Sequence, residues 1–285
     1  MPVQEIGKFK ANHFKENGKV LVSKVSNVKN VKESILHAVD LIGGFNKIVE
    51  KGDEILLKPN FNTADPPPGS SDPELVKAVI ELLFEHGAAK VVLGESSMLS
   101  LSTRKVLEET GMTAKAEKAG AELVFFDEGK WVKIATGGKY LRKVSLAETA
   151  LKAEKLVYVC CMKTHRFAKF TFSLKLAVGF MKPTERMMLH ASHLQEKIAD
   201  LNLVVNPNLI IMDGRKCFIS GGPASGELRN PNVVLASGDR IAMDVEALKV
   251  VERYEGTSLT DDPWHYTQVR RAVELGLGVK SEQEY

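Results

Sequence analysis

Seven short apolar runs, rich in β-branched residues and separated by stretches of helical spacing, restrict this sequence to a narrow set of folds. They are Val20 to Val25, Glu54 to Lys58, Lys90 to Glu95, Glu122 to Phe126, Lys155 to Cys160, Asn208 to Asp213 and Asn232 to Ala236, and each reads as a strand. The clearest helix between them is Pro73 to His86, where Leu75, Val76, Val79, Leu82 and Leu83 share one face. Asp72 caps it, Pro73 takes its first position and Gly87 ends it. Strand, helix and strand in repeated order with short connections feed a parallel sheet through right-handed crossovers. The expected fold is therefore α/β, a mostly parallel sheet with helices on both faces.

Three more helices are expected over Ala191 to Val205, Ile241 to Arg253 and His265 to Leu275, followed by a frayed polar tail from Lys280. One stretch breaks the alternation. Trp131 to Ile134, then Thr136-Gly137-Gly138-Lys139 and Tyr140, reads as a β-hairpin. The chain is expected to be one domain over 1–285, with that hairpin at 130–141 as a seam between lobes 1–129 and 142–285 around a cleft.

With 44% hydrophobic residues in 285 the chain can bury a core without staples. Its 39 basic and 36 acidic residues nearly cancel, so no global field favours nucleic acid or membrane, and any anion site must be local. Cys160, Cys161 and Cys217 are too few and too awkwardly spaced for a disulfide framework or a zinc loop, which suits a reducing compartment. Met1 to Asn12 lacks the pattern of a signal peptide, and no run of about 18 apolar residues occurs. A cytoplasmic protein without nucleic-acid or membrane partners is expected. Nothing in the sequence points to a cofactor or an oligomeric state.

In open parallel sheets ligands bind beyond the carboxyl ends of the strands, so polar residues there are the first candidates for function. Lys58-Pro59-Asn60 ends the second run; a lysine in that position is costly to dehydrate unless an anion meets it, although it could also snorkel to water. Gly94-Glu95-Ser96-Ser97 ends the third, where Glu95 could pair with a lysine or hold a metal, or Ser96 or Ser97 could simply cap a helix. The densest cluster follows the fifth run: Lys163, His165, Arg166 and Lys169 arrive together, with Phe167, Phe170 and Phe172 able to pack beneath them, and Lys175 lies in an apolar segment. Cations so interleaved with apolar residues suggest a pocket for negative charge rather than a solvated face. Asp213 ends the sixth run as a base, a metal ligand or a lysine partner, and Gly221 and Gly222 could supply an amide nest for an anion. Asp239 opens a helix as its cap, while Asp244 within it faces either solvent or the cleft. His190 and His193 could reach one side of a helix, but no third ligand matches them and no metal site is assigned.

In this order the pieces resemble the family called domain of unknown function 362. The resemblance rests on Leu57-Lys58-Pro59-Asn60, Glu85-His86-Gly87-Ala88 before Val91 to Glu95, Met162-Lys163-Thr164-His165 and Leu174-Lys175. It continues through Asp213-Gly214, Gly221-Gly222-Pro223 and Ala236-Ser237-Gly238-Asp239 with Ala242-Met243-Asp244. It covers most of the chain but implies no particular reaction. Many relatives are called iron–sulfur proteins for an attached ferredoxin-like segment; this sequence shows none, and three cysteines are one fewer than a cluster needs. Relatives usually have Asn where Leu176 follows Lys175.

The preferred expectation is a protein that binds or transforms a small anionic metabolite. Lys58, Lys163 and Lys175 would supply charge, His165 would act as general acid or base, and Asp213 and Glu95 would orient the cations. Asn60, Gly221, Gly222 and Asp244 complete the expected binding set. A ligand-sensing protein without turnover, and metal-assisted or redox chemistry, are the alternatives.

Overall fold

The computed structural model describes residues 11–285, so the N-terminal reading over Met1 to Asn12 lies mostly outside the described residues. A two-stranded ribbon of β1 (Lys15–Glu16) and β2 (Lys19–Val20) precedes the main sheet. That sheet is ordered β3 (Val22–Ser26), β13 (Val233–Ser237), β11 (Leu209–Gly221), β9 (Lys155–His165), β4 (Glu54–Lys58), β5 (Lys90–Glu95), β6 (Glu122–Phe125). The five strands from β11 to β6 are mutually parallel, and β13 runs antiparallel to both its neighbours. The chain is α/β with a mostly parallel sheet. β10 (Lys169–Thr171) folds back on β9, and β12 (Gly226–Arg229) on β11.

Both faces of the sheet are covered, which its near-continuous apolar strands require. One face carries Leu57, Leu93, Val157, Val159 and Ile211 against α1 (Val31–Asp40), α2 (Pro73–Glu85), α3 (Thr103–Glu109) and α4 (Met112–Lys118). The other carries Leu56, Val92, Tyr158, Cys160 and Met212. Against it pack residues of α6 (Ser173–Leu176), α7 (Pro183–Leu189), α8 (Leu194–Leu201), α9 (Arg240–Val251) and α10 (Thr267–Glu274). α5 (Glu148–Lys152) joins the hairpin to β9. The expected caps are in place: Asp72 accepts from the Glu74 N–H, and Asp239 from the N–H groups of Ile241 and Ala242.

The hairpin exists, but its second arm starts later than the sequence suggests: β7 (Trp131–Ala135) pairs with β8 (Lys143–Ala147). Buried Asp200 fixes the connection by accepting the N–H groups of Tyr140 and Leu141. Strands from before the hairpin (β4 to β6) and after it (β9, β11, β13) lie in the same sheet. The polar tail is not frayed: Lys249 donates to Tyr285 Oη at 2.9 Å and pairs with Glu282. Among the described residues no helix is long and apolar enough to cross a membrane.

Candidate functional site

Two strands run past the ends that their apolar runs suggest, and this extension builds the site. β9 continues through Cys160-Cys161-Met162-Lys163-Thr164-His165 because β10 pairs with its last residues and β11 with those before them. β11 continues beyond Asp213 after an irregularity that shifts its partner from Asp213↔Cys161 to Cys217↔Met162. Lys163 and His165 therefore sit on a paired strand beyond the ends of β4 and β5, and both are buried.

Lys58 and Glu95 end two adjacent strands and form a wholly buried ion pair at 2.5 Å. Glu95 also accepts the N–H groups of Ser96 and Phe61, each at 2.8 Å, so its oxygens are saturated. Burial lowers the Lys58 pKa while Glu95 pulls it back up. The ammonium also donates to Pro59 O and lies 5.8 Å from the Phe180 ring centroid. Gly179 is required here, because a Cβ would stand 2.6 Å from Lys58 Cε.

Three further cations stand beside this pair with no carboxylate in contact. Lys163 donates to Gly69 O. The Arg186 guanidinium, on α7, is spent on the carbonyls of Met181, Ser96, Ser97 and Gly179 at 2.7–3.2 Å. The ammonium of half-buried Lys175 makes no hydrogen bond or ion pair with any described residue. Burial, reinforced by Lys163 and Arg186, brings its pKa down to about 7. Burial also brings Arg186 and Lys163 down, against the opposing pull of Glu95 and Asp127 on Arg186 and of Cys161 and Asp65 on Lys163.

His165 belongs to this group, but not as the general acid or base that the sequence suggests. Burial, then the charges of Lys175, His190 and Lys163, push its pKa down to about 2. Its Nδ1 accepts the N–H groups of Phe167 (3.2 Å) and Ala168 (3.1 Å), which places the ring proton on Nε2. At neutral pH it is a fixed, neutral donor. His190 stacks on it at 6.3 Å between centroids. His193 instead has φ +49° and sits beside Glu196 and Tyr140, so the two histidines do not share a helix face. Among the described residues no three His, Cys, Asp or Glu side chains gather closely enough to hold a metal ion.

Several other expected site residues are engaged elsewhere. Asp213 holds Arg215 at 2.7 and 2.9 Å, because the break in β11 turns Arg215 back onto it and onto Asp72. These groups line a separate cavity of about 80 Å³ with Pro67, Ser70 and Cys161. Asp244 is fully buried and accepts from Ser173 N, Ser173 Oγ and Leu174 N. It thus caps the turn that presents Lys175; burial pushes its pKa up to about 7 against those hydrogen bonds. The Gly222 N–H donates to Ser225 O, so it is consumed by its own turn and offers no nest. Gly221 and Gly222 have φ of +77° and +70° and press the loop against Thr164. Asn60 ties its backbone to Ser71, while its side-chain amide has no partner among the described residues. Phe170 and Phe172 stack at 4.8 Å in the core, but Phe167 lies 67% exposed instead of beneath the cations. The three thiols are buried with raised pKa values, that of Cys217 to about 12.

Arg186 is the member that the sequence did not announce. Its one signal is an arginine inside the short apolar helix Thr184-Glu185-Arg186-Met187-Met188-Leu189, where a charge needs partners if it turns inward.

The model of the family described as "Domain of unknown function (DUF362)" matches residues 55–249, which hold Lys58, Glu95, Lys163, His165, Lys175, Arg186 and Asp244. This chain belongs to the DUF362 family. A curated relative, the thylakoid-associated protein sll1697 of Synechocystis sp., is 27% identical over 219 residues, covering 74% of this chain and 67% of that protein. Among solved structures, the lactate racemase apoprotein from Thermoanaerobacterium thermosaccharolyticum is 12% identical with a TM-score of 0.37. That alignment takes in 86% of this DUF362 chain but only 58% of the racemase chain, and so slight a likeness carries nothing on substrate or mechanism.

Proposed function

We propose that this protein binds a small anion, a carboxylate or a phosphate, at the carboxyl end of the sheet between Lys175, Lys163 and His165. The observation that carries the reading is the unpartnered Lys175 ammonium. It sits among Lys163 and Arg186 and touches no carboxylate: Glu95 is committed to Lys58, and Asp65 and Asp127 act on Lys163 and Arg186 without an ion-pair contact. A buried surplus of positive charge is costly until a counter-charge enters. Lys175 and the Nε2–H of His165 supply donors for the anion, and the side-chain amide of Asn60 adds another near Lys58. Lys175, not His165, is the group whose proton can move near neutral pH.

The depressed lysine pKa gives the test. In the free protein Lys175 is half neutral near pH 7 and mostly neutral above it; a bound anion favours the ammonium, so binding above pH 7 takes up a proton. Affinity for inorganic phosphate or acetate is expected to fall about tenfold per pH unit above about 7.5, after allowing for phosphate's own titration. Calorimetry in buffers of different ionisation heat should show uptake of close to one proton at pH 8.5. Lys175→Met should abolish both the uptake and most of the binding. Binding by Lys175→Met equal to wild type would defeat the proposal.

A second reading, ligand sensing without turnover, is favoured by the chemistry of the other side chains. Nδ1 of His165 is occupied, the thiols are held protonated by burial, and Asp244 is spent on Ser173 and Leu174, which leaves Lys175 as the group facing the anion that can move a proton. Nuclear magnetic resonance of a stabilising anion after long incubation separates the two: an unchanged molecule supports sensing, and any new product supports turnover.

A further inference from the structure

Eight large hydrophobic side chains are exposed among the described residues, and six of them form two groups near the cation cluster: Phe167 with Met187 and Met188 of α7, and Met98 with Leu99 and Leu101. Scattered single exposures are ordinary, but concentration at one place marks a contact surface. Phe167 (67% exposed) lies two residues past the His165 strand end, and Met187 (63%) and Met188 (69%) occupy the two helix positions after Arg186. Phe167 meets His190 edge to face at 6.1 Å, and His190 stacks on His165. Met187 lies three residues before His190, on the same side of the last turn of α7. The second group, Met98, Leu99 and Leu101, follows Ser96 and Ser97, whose carbonyls Arg186 holds at 2.7 and 3.2 Å. Arg186 thus ties both apolar groups to the cations.

We infer that the anion bound here is amphiphilic: a carboxylate or phosphate head at Lys175, with an alkyl or aromatic part covering Phe167, Met187 and Met188. The inference rests on the anion reading above and adds the class of ligand. Charge complementarity favours this occupant, because the apolar groups adjoin a cluster whose charge is unmatched, and a purely apolar partner would leave Lys175 bare. Methionines suit the part, since their flexible side chains adapt to chains of differing shape.

The test is calorimetric titration of the full chain with straight-chain carboxylates from acetate to octanoate, kept below micelle-forming concentrations. Affinity is expected to rise two- to fourfold per methylene. Phe167→Ser and Met188→Ser should each lower the octanoate-to-acetate affinity ratio at least threefold, whereas Leu41→Ser, on an exposed site outside both groups, should leave the ratio unchanged. Acetate binding with no dependence on chain length would overturn the amphiphile alone. Failure of acetate, phosphate and octanoate to bind would overturn the anion reading beneath it. Sedimentation showing a dimer that Phe167→Ser dissociates would assign the surface to a second copy and overturn the inference.

Discussion

Replacing Glu95 with alanine is expected to lower the stability of the protein by about 3–5 kcal/mol, the usual cost of removing one partner of a buried ion pair. Lys58 is 1% exposed, so water cannot replace the lost carboxylate, and only Pro59 O and the Phe180 ring remain near the ammonium. The loss also strands the N–H groups of Phe61 and Ser96 that Glu95 accepts. Urea unfolding at pH 7 measures it, and a change below about 1 kcal/mol would show that the pair is not sealed from solvent. Two further results follow from the same charge. Without Glu95, Lys58 can stay folded cheaply only by shedding its proton, so its folded pKa drops further below the unfolded value. Stability of Glu95→Ala should therefore recover relative to wild type as pH rises from 7 toward 10. The double variant Lys58→Met, Glu95→Leu removes both charges at similar volume and should recover the part of the loss due to the uncompensated Lys58 charge, leaving the cost of the two stranded N–H groups.

That pair was legible in the sequence because it depends on local rules: two apolar strands, each ending in a charge, become neighbours once the sheet is parallel. The dependence on distant partners was not. His165 was read with an ordinary imidazole pKa, yet its acceptor nitrogen is taken by Phe167 and Ala168 only because the chain turns sharply into β10. Asp244 was read as open to the cleft, but a helix with ten buried residues buries nearly every side and sends this carboxylate to the turn at Ser173. Asp213 was read as a base, a metal ligand or a lysine partner, and the irregularity of β11 gave it Arg215 instead. Arg186 escaped notice because its partners are four carbonyls, and carbonyls leave no mark in a sequence. Strand order and caps obey short-range periodicity; the charges of the site answer to tertiary contacts that no spacing encodes.

The largest effect expected from a single methyl group falls on Gly222. Its φ of +70° already strains any L side chain, by about 1–2 kcal/mol. At Gly276, with φ +68° and open space around the missing Cβ, alanine should cost only that strain. At Gly222 the added carbon would collide with the carbonyl oxygen of Thr164, a backbone atom of a paired strand that cannot rotate away. The loop must then lift off β9, and Gly222→Ala is expected to cost about 2–5 kcal/mol, strain and overpacking together. The displacement reaches the site by two routes: Thr164 lies between Lys163 and His165, and Ala224 of the same loop packs on Gly69, whose carbonyl holds Lys163. Affinity for phosphate or acetate should fall at least tenfold at a temperature where the variant remains folded, whereas Gly276→Ala should bind as wild type does. Urea unfolding and anion titration of the two variants side by side separate strain from collision. Equal costs at the two glycines would mean that the loop rests loosely on the strand end, and Lys163 would then owe its placement to Gly69 alone.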